Sequence, residues 1–291
     1  MAERVGVVGG GLMGAGIAYT VVLKSEAVVS IMEMNAELLE RCRQRMGKLI
    51  QTGIQRGAIP PEQAAGIGDR IRYITDMKEM GPADIVVEAV FEEMPVKQQI
   101  FGQLDQLYPS GTILASNTSG LSITEIAAAT RHPERVIGTH FFNPVPVMKL
   151  VELVRGERTS EQTMGFARQF CEGLGKEVVV ASDRPGFITT RVGQAYFCEA
   201  LRCLEEGVGT IEDIDKGIRL AYNFPMGPFQ LMDLIGLDTE LKIMESLTRD
   251  LGPRFEPGPI MRKMVAENKL GRKTGQGFFS YEAKPEKPVK P

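Results

Sequence analysis

VGVVGGGLMGAGIA, residues 5–18, decides how the rest of the chain is read. An apolar strand runs into Gly9, Gly11 and Gly14, spaced as GxGxxG, and a helix-forming segment follows, opening at Leu12 and Met13. Dinucleotide binding asks for these glycines: a tight turn, close approach of backbone to a pyrophosphate, and close packing of helix on strand. The helix N-terminus then faces the anion with its N–H groups and the positive end of its dipole. A second strand, VVSIM, leads to Glu33, nineteen positions after Gly14, where a carboxylate can accept hydrogen bonds from an adenosine ribose. That charge repels a 2′-phosphate, and Met34 and Asn35 bring no guanidinium to offset it, so NAD is favoured over NADP. A glycine-rich turn beside an unrelated acidic residue would give the same letters.

Outward from this fingerprint, short β-branched runs alternate with segments of helical spacing as far as about Val180: VVSI, IRYI, DIVVEAV, TILA, RVIGTH and EVVV. This is the pattern of a mostly parallel sheet with helices on its faces, a Rossmann-like α/β domain. The turn-rich ASDRPG, residues 181–186, breaks the rhythm, and beyond it only helical periods remain. The expected organisation is an NAD-binding domain over 1–183, an all-helical C-terminal domain over 184–283, and a flexible tail over 284–291. The Pro- and Lys-rich end, YEAKPEKPVKP, has too little apolar surface to fold.

Composition narrows the function classes. With 43% hydrophobic and 24% charged residues in 291, the chain reads as globular. A net charge of -3 carries no basic footprint, which argues against a nucleic-acid partner and sends any anionic ligand to a local site. Cys42, Cys171, Cys198 and Cys203 form no CxxC pair and no cluster with histidine, so no metal site is expected and the thiols read as reduced packing residues. The N-terminus resembles no leader, and no apolar run is long enough to cross a membrane. The expected location is cytoplasmic.

Only two histidines occur. His140 lies in GTHFFNPVPVMKLVE, residues 138–152, at the carboxyl end of an expected strand, where open α/β sheets place their ligands. Oxidising an alcohol with a nicotinamide cofactor also requires removal of the hydroxyl proton, and imidazole suits that at neutral pH. Glu152, across a proline-punctuated turn, could orient the ring and stabilise the imidazolium. A packed strand-end histidine beside an unrelated surface glutamate is the alternative. His132, in TRHPER, reads as a solvated turn residue.

VVGGGLMGAGIA, VVEAVFEEMPVKQQIF, LASNTSGLSITEIA, GTHFFNPVPVMKLVE, PMGPFQLMDLIGLDT and LGRKTGQGFF together resemble the 3-hydroxyacyl-CoA dehydrogenase family, in particular its short bacterial 3-hydroxybutyryl-CoA members, over nearly the whole chain. The resemblance implies reversible NAD-dependent oxidation of an L-3-hydroxyacyl-CoA. It makes His140 the general base, Glu152 its partner, and Ser119 the hydroxyl that bonds the reacting oxygen near the nicotinamide. It places Glu92 and Lys97 near the cofactor ribose and nicotinamide, Asn117 and Asn143 along the same cleft, and Lys273 on a segment reaching toward the cofactor. Arg56 matches a basic position near the CoA nucleotide, with Lys48 in reserve. Arg41, Arg43 and Arg45 on the same helix read as a solvated face. The helical domain would close over the thioester and supply a homodimer interface.

Two departures stand out. The family's PGFxxNR appears as PGFITTR, putting Thr190 where an active-site asparagine is expected, and SNTSS has become SNTSG at Gly120. Two other readings remain open: a related dehydrogenase of a free hydroxy acid such as L-gulonate, and a catalytically weak NAD-binding structural protein.

Overall fold

Runs of Val and Ile become strands because branched side chains pack well on a pleated surface, and strands buried on both faces read as continuous apolar runs. In the computed structural model, which describes residues 2–109 and 111–281, these runs build one sheet. Its strands are β1 (Arg4–Val8), β2 (Val28–Met32), β3 (Ile71–Ile74), β4 (Ile85–Glu88), β5 (Ile113–Ser116), β6 (Val136–Phe141), β7 (Leu150–Arg155) and β8 (Glu177–Ser182). The spatial order is β3-β2-β1-β4-β5-β6-β7-β8. Only β6 and β7 run antiparallel; the other neighbours are parallel, as the alternating rhythm implies. The order reverses between β1 and β4, and a crevice outside the carboxyl ends at such a reversal is where these sheets take ligands.

β7 is the element that the sequence reading lacks. Glu152 interrupts LVELVR and looks like a surface residue, yet all of Val151–Val154 is buried and the segment pairs along its length with β6. The turn before it is held from the residue that precedes β8: the Lys176 ammonium donates to the carbonyls of Val145 and Met148 at 2.5 and 2.8 Å.

Helices cover both faces of the sheet: α1 (Leu12–Lys24), α2 (Ala36–Gln55), α3 (Ala64–Asp69), α4 (Met94–Leu107), α5 (Ile123–Ala127) and α6 (Glu161–Gly173). Side-chain caps start several of them, with Asn35 accepting from Leu38 N–H and Ser160 from Thr163 N–H. One apolar layer joins Val7, Ile31 and Phe141 to Ile17, Met46 and Phe170; the other joins Val86 and Leu114 to Phe101, Ile126 and Phe187. Each fully buried Ile or Phe contributes about 1.5–3 kcal/mol.

The chain divides into two compact units between Phe187 and Ile188. The second is helical, as expected: α7 (Thr189–Glu205), α8 (Ile211–Ala221), α9 (Pro228–Ile235), α10 (Leu237–Leu251) and α11 (Pro259–Ala266). Phe197, Leu201, Phe229, Met232, Met244 and Met261 form its core. Buried carboxylates serve as internal caps. Asp215 accepts the N–H groups of Phe229 and Gln230 at the start of α9, and Asp233 accepts those of Phe278 and Phe279 together with the Tyr281 hydroxyl. Burial raises both acids above the ordinary carboxylate range. The expected tail over 284–291 lies outside the described residues.

Glu240, on α10, is buried beside Gln194 of α7, whose amide nitrogen donates to it. Burial pushes the Glu240 carboxyl from 4.5 up to about 7. Among the described residues Gln194 Oε1 has no hydrogen-bond partner. The raised acid pKa means that the folded state holds the proton more tightly than the unfolded state. Stability is therefore lost as pH rises from about 4.5 towards 7, by roughly 3 kcal/mol in all. Glu240→Gln keeps an acceptor for the Gln194 amide without a charge. It should melt near the parent at pH 5 and several degrees above it at pH 8, measured by scanning calorimetry; equal melting at both values would mean that Glu240 is not held neutral.

Candidate functional site

The glycine loop joins β1 to α1. Gly9 has φ 95°, a left-handed conformation that favours glycine, and its N–H donates to Met32 O at 2.9 Å. A Cβ on Gly14 would strike the Gly9 carbonyl, whereas one on Gly11 would meet nothing within 4 Å. The loop is thus packed tight behind and open at Gly11. No side chain caps α1 at Gly11, so the amides of its first turn, Leu12 to Gly14, are available to an anion. Glu33 follows β2, and its Oε1 accepts the Gly10 N–H at 2.6 Å. Arg45 departs from the solvated face expected of α2: its guanidinium donates to the Gly10 carbonyl at 2.9 Å. Both sides of the Gly10 peptide are therefore held. This loop, with its carboxylate at the end of β2, fits a dinucleotide. Arg43 lies 4.1 Å over the Tyr73 ring and Arg41 pairs with Glu37 at 2.6 Å, while Lys48, within α2, and Arg56, just beyond its end, are exposed.

At the carboxyl end of β6, His140 stands directly opposite Glu152 of β7. His140 Nδ1 lies 2.8 Å from Glu152 Oε2, with the carboxylate wholly buried and the imidazole 6% exposed. An ionised carboxylate only accepts, so Nδ1 carries the proton of that bond and Nε2 is left as the basic nitrogen. The ring packs against Phe142 and Phe187, with centroids at 4.3 and 6.2 Å. The adjoining strand ends are laced by Asn117, whose Oδ1 accepts the Phe141 N–H at 3.0 Å.

A second buried carboxylate ends β4. Glu88 Oε1 accepts from Val90 N–H and from the Lys97 ammonium, each at 2.7 Å, and its Oε2 accepts the Ser116 hydroxyl at 2.7 Å. Lys97, on α4, is as buried as Glu88 and also reaches Glu92 Oε2 at 3.3 Å. Glu92 in turn accepts the Ser119 N–H at 2.9 Å and the Thr118 hydroxyl. Glu88 and Arg45 escaped the sequence reading. The signal for Glu88 was an acid inside an otherwise apolar strand, DIVVEAV, followed nine positions later by a lysine.

The structure thus gathers Glu92, Lys97, Asn117, Ser119, His140 and Glu152 on β4 to β7 and the loops that follow their carboxyl ends. Asn143 is exposed in the turn beyond His140. Thr190, half-buried in the first turn of α7, and Lys273, paired with Asp238, belong to the second unit. His132 is not simply solvated, since its Nδ1 lies 3.2 Å from Asp105, the carboxylate that also binds Arg135.

The 3-hydroxyacyl-CoA dehydrogenase NAD binding domain pattern matches residues 4–184, and the C-terminal domain pattern of the same family matches residues 186–281. A Bacillus subtilis protein named "Probable 3-hydroxybutyryl-CoA dehydrogenase" is 44% identical over 283 residues, covering 97% of this chain and 98% of its own. The mitochondrial hydroxyacyl-coenzyme A dehydrogenase of Sus scrofa is 40% identical, covering 97% and 92%. The crystal structure of (S)-3-hydroxybutyryl-CoA dehydrogenase from Ralstonia eutropha superposes with a TM-score of 0.92 at 37% identity, covering 97% of this chain and all of that one.

Asn117→Ala removes the acceptor of a buried backbone N–H between two strand ends. It should cost about 1–3 kcal/mol in urea unfolding, the usual penalty for stranding such a donor. An unchanged midpoint would show that the Phe141 amide finds another partner.

Proposed function

The chain belongs to the 3-hydroxyacyl-CoA dehydrogenase family, and from that premise we propose how its own residues carry the reaction. The reaction is the reversible NAD-dependent oxidation of an L-3-hydroxyacyl-CoA to the 3-ketoacyl-CoA. NAD, when bound, supplies the nicotinamide carbon that accepts the hydride of C3. The observation that carries the residue roles is the 2.8 Å contact between His140 and Glu152. With Nδ1 engaged by the carboxylate, His140 Nε2 takes the proton of the 3-hydroxyl, and Glu152 stabilises the imidazolium while fixing the ring plane. In the reductive direction the same nitrogen returns the proton. Ser119 bonds the reacting oxygen. Gly9, Gly11 and the amides of Leu12, Met13 and Gly14 hold the pyrophosphate, and Glu33 takes the adenosine ribose. Glu92, Lys97, Asn117, Asn143 and Lys273 complete the cofactor side.

The acyl chain we propose is short, on the strength of the relatives named for 3-hydroxybutyryl-CoA. Arg56, just beyond the end of α2, and Lys48, within that helix, are exposed cations that suit the CoA phosphates. A homodimer through the helical unit accounts for its exposed apolar side chains, among them Val208, Leu220, Tyr222 and Phe224. Among the described residues no helix is long and apolar enough to cross a membrane. The free thiols support a cytoplasmic location.

NADH consumption at 340 nm with acetoacetyl-CoA tests the activity; a dehydrogenase of free hydroxy acids or a binding protein would leave the absorbance unchanged. In the same assay His140→Ala should lower turnover by about 10²–10⁴ while NADH still binds. Retained turnover with a normal melting profile would reduce His140 to a packing residue. Thr190→Asn restores the amide of the family motif and should change kcat/KM for acetoacetyl-CoA by roughly tenfold, with a shift between short and longer acyl chains. If all chain lengths stay within about twofold, position 190 does not contact the substrate.

A further inference from the structure

Lys97 is a buried ammonium between two carboxylates, and the two differ in kind. Glu88 is wholly buried, and its three hydrogen bonds all come from fixed groups: the Val90 amide, the Ser116 hydroxyl at the end of β5, and Lys97 itself. Glu92 is half-exposed, with 46% of its side chain open to solvent, in the loop between β4 and α4. Unaided, such a glutamate would sample several rotamers. What it holds is the backbone of Ser119 and the hydroxyl of Thr118, and Thr118 Oγ1 in turn accepts the N–H groups of Gly120 and Leu121. A continuous polar chain therefore runs from Ser116 through Glu88, Lys97 and Glu92 to the Ser119 amide.

We infer that Glu88 is a positioning residue for the loop that carries Ser119: by anchoring Lys97, it fixes Glu92, and Glu92 fixes residues 118–121. This rests on the reading above in which Ser119 bonds the reacting oxygen. A charge buried without its partner moves or drags its surroundings, so loss of Glu88 frees Lys97 to follow Glu92 toward solvent. The loop then loses its far support while its near contacts survive. The two oxygens of Glu88 also explain why the buried lysine needs two acids. The Glu88 carboxylate reaches the loop only through Ser116, whose oxygen accepts the Thr118 N–H at 3.4 Å, whereas Glu92 holds the Ser119 N–H and the Thr118 hydroxyl directly.

The test uses the full chain with Glu88→Gln, Glu92→Gln and the double variant. Glu88→Gln is isosteric: it removes the charge that holds Lys97 and turns one of the two acceptor oxygens into a donor, which the Ser116 hydroxyl can accept. In the cofactor-free protein, amide exchange over residues 117–121 should quicken while exchange over β1 stays at the parent rate. With cofactor and acetoacetyl-CoA, kcat should fall about 10–100-fold with KM for the acyl-CoA within about twofold, since a misplaced group costs turnover more than binding. Because the two glutamates act in series, the double variant should be no slower than Glu92→Gln alone. Should Glu88→Gln fold poorly, Glu88→Leu with Lys97→Met replaces the whole pair by apolar groups, keeps the fold, and must show the same faster loop exchange. Parent-like exchange over 117–121, or losses that multiply in the double variant, would overturn the inference. Ser119→Ala assayed alongside separates the two ideas: full activity there removes the role given to Ser119, while the exchange result still decides what Glu88 holds.

Discussion

A carboxylate taken out of water must be met by donors or cations, and two of them are wholly buried at the carboxyl end of this sheet. Glu88 ends β4 and Glu152 lies in β7, on either side of the strands that carry Asn117 and His140. Their burial dictates much of what surrounds them. Glu152 is answered by an imidazole on the facing strand, which converts a structural requirement into an oriented base. Glu88 is answered by an ammonium from α4, an amide and a hydroxyl, which converts the same requirement into a rigid strand end. The interior of the sheet supplies the low dielectric that makes these pairings strong, and the apolar rings of Phe142 and Phe187 extend it around the base.

The fold was legible because its signals are local. Gly9, Gly11 and Gly14 each meet a steric demand within a dozen residues, and β-branched runs separated by helical spacing describe a parallel sheet without any knowledge of pairing partners. His140 and Glu152 were found together because rarity drew attention to one and the turn brought in the other. β7 was missed for the same reason that it matters: its central residue is an acid, and an acid argues for the surface unless its partner is known. Glu88 and Arg45 escaped for a related reason. Their roles depend on groups far along the chain, so Glu88 reads as one acid in an apolar run and Arg45 as one more cation on α2, although one is met by Ser116 and the buried Lys97 and the other holds the Gly10 carbonyl.

The helical unit applies the same physics with less charge. Asp215 and Asp233 bury carboxylates against backbone amides and so take the place of ordinary caps, while Glu240 meets only an amide and rests near neutrality. Thr190 and Gln194 stand one turn apart on α7, on the same side of the helix. Thr190, one of the two positions at which the sequence departs from the motifs it resembles, therefore neighbours, along its own helix, the amide that pairs with a buried acid.

The antiparallel pairing of β6 and β7 has a further consequence for how this sequence can vary. His140 and Glu152 face one another because of strand register, and successive side chains on a strand point to opposite faces. A one-residue slip of either strand would turn His140 or Glu152 to the other side of the sheet and sever the pair at once. The connecting turn is under separate control, since Lys176, just before β8, grips the carbonyls of Val145 and Met148. Apart from Phe142, Asn143 and the buried Val145, its side chains are mostly exposed and can drift, whereas its length is pinned at both ends. Lineages descending from this chain would accordingly change the letters of the turn far more readily than its number of residues.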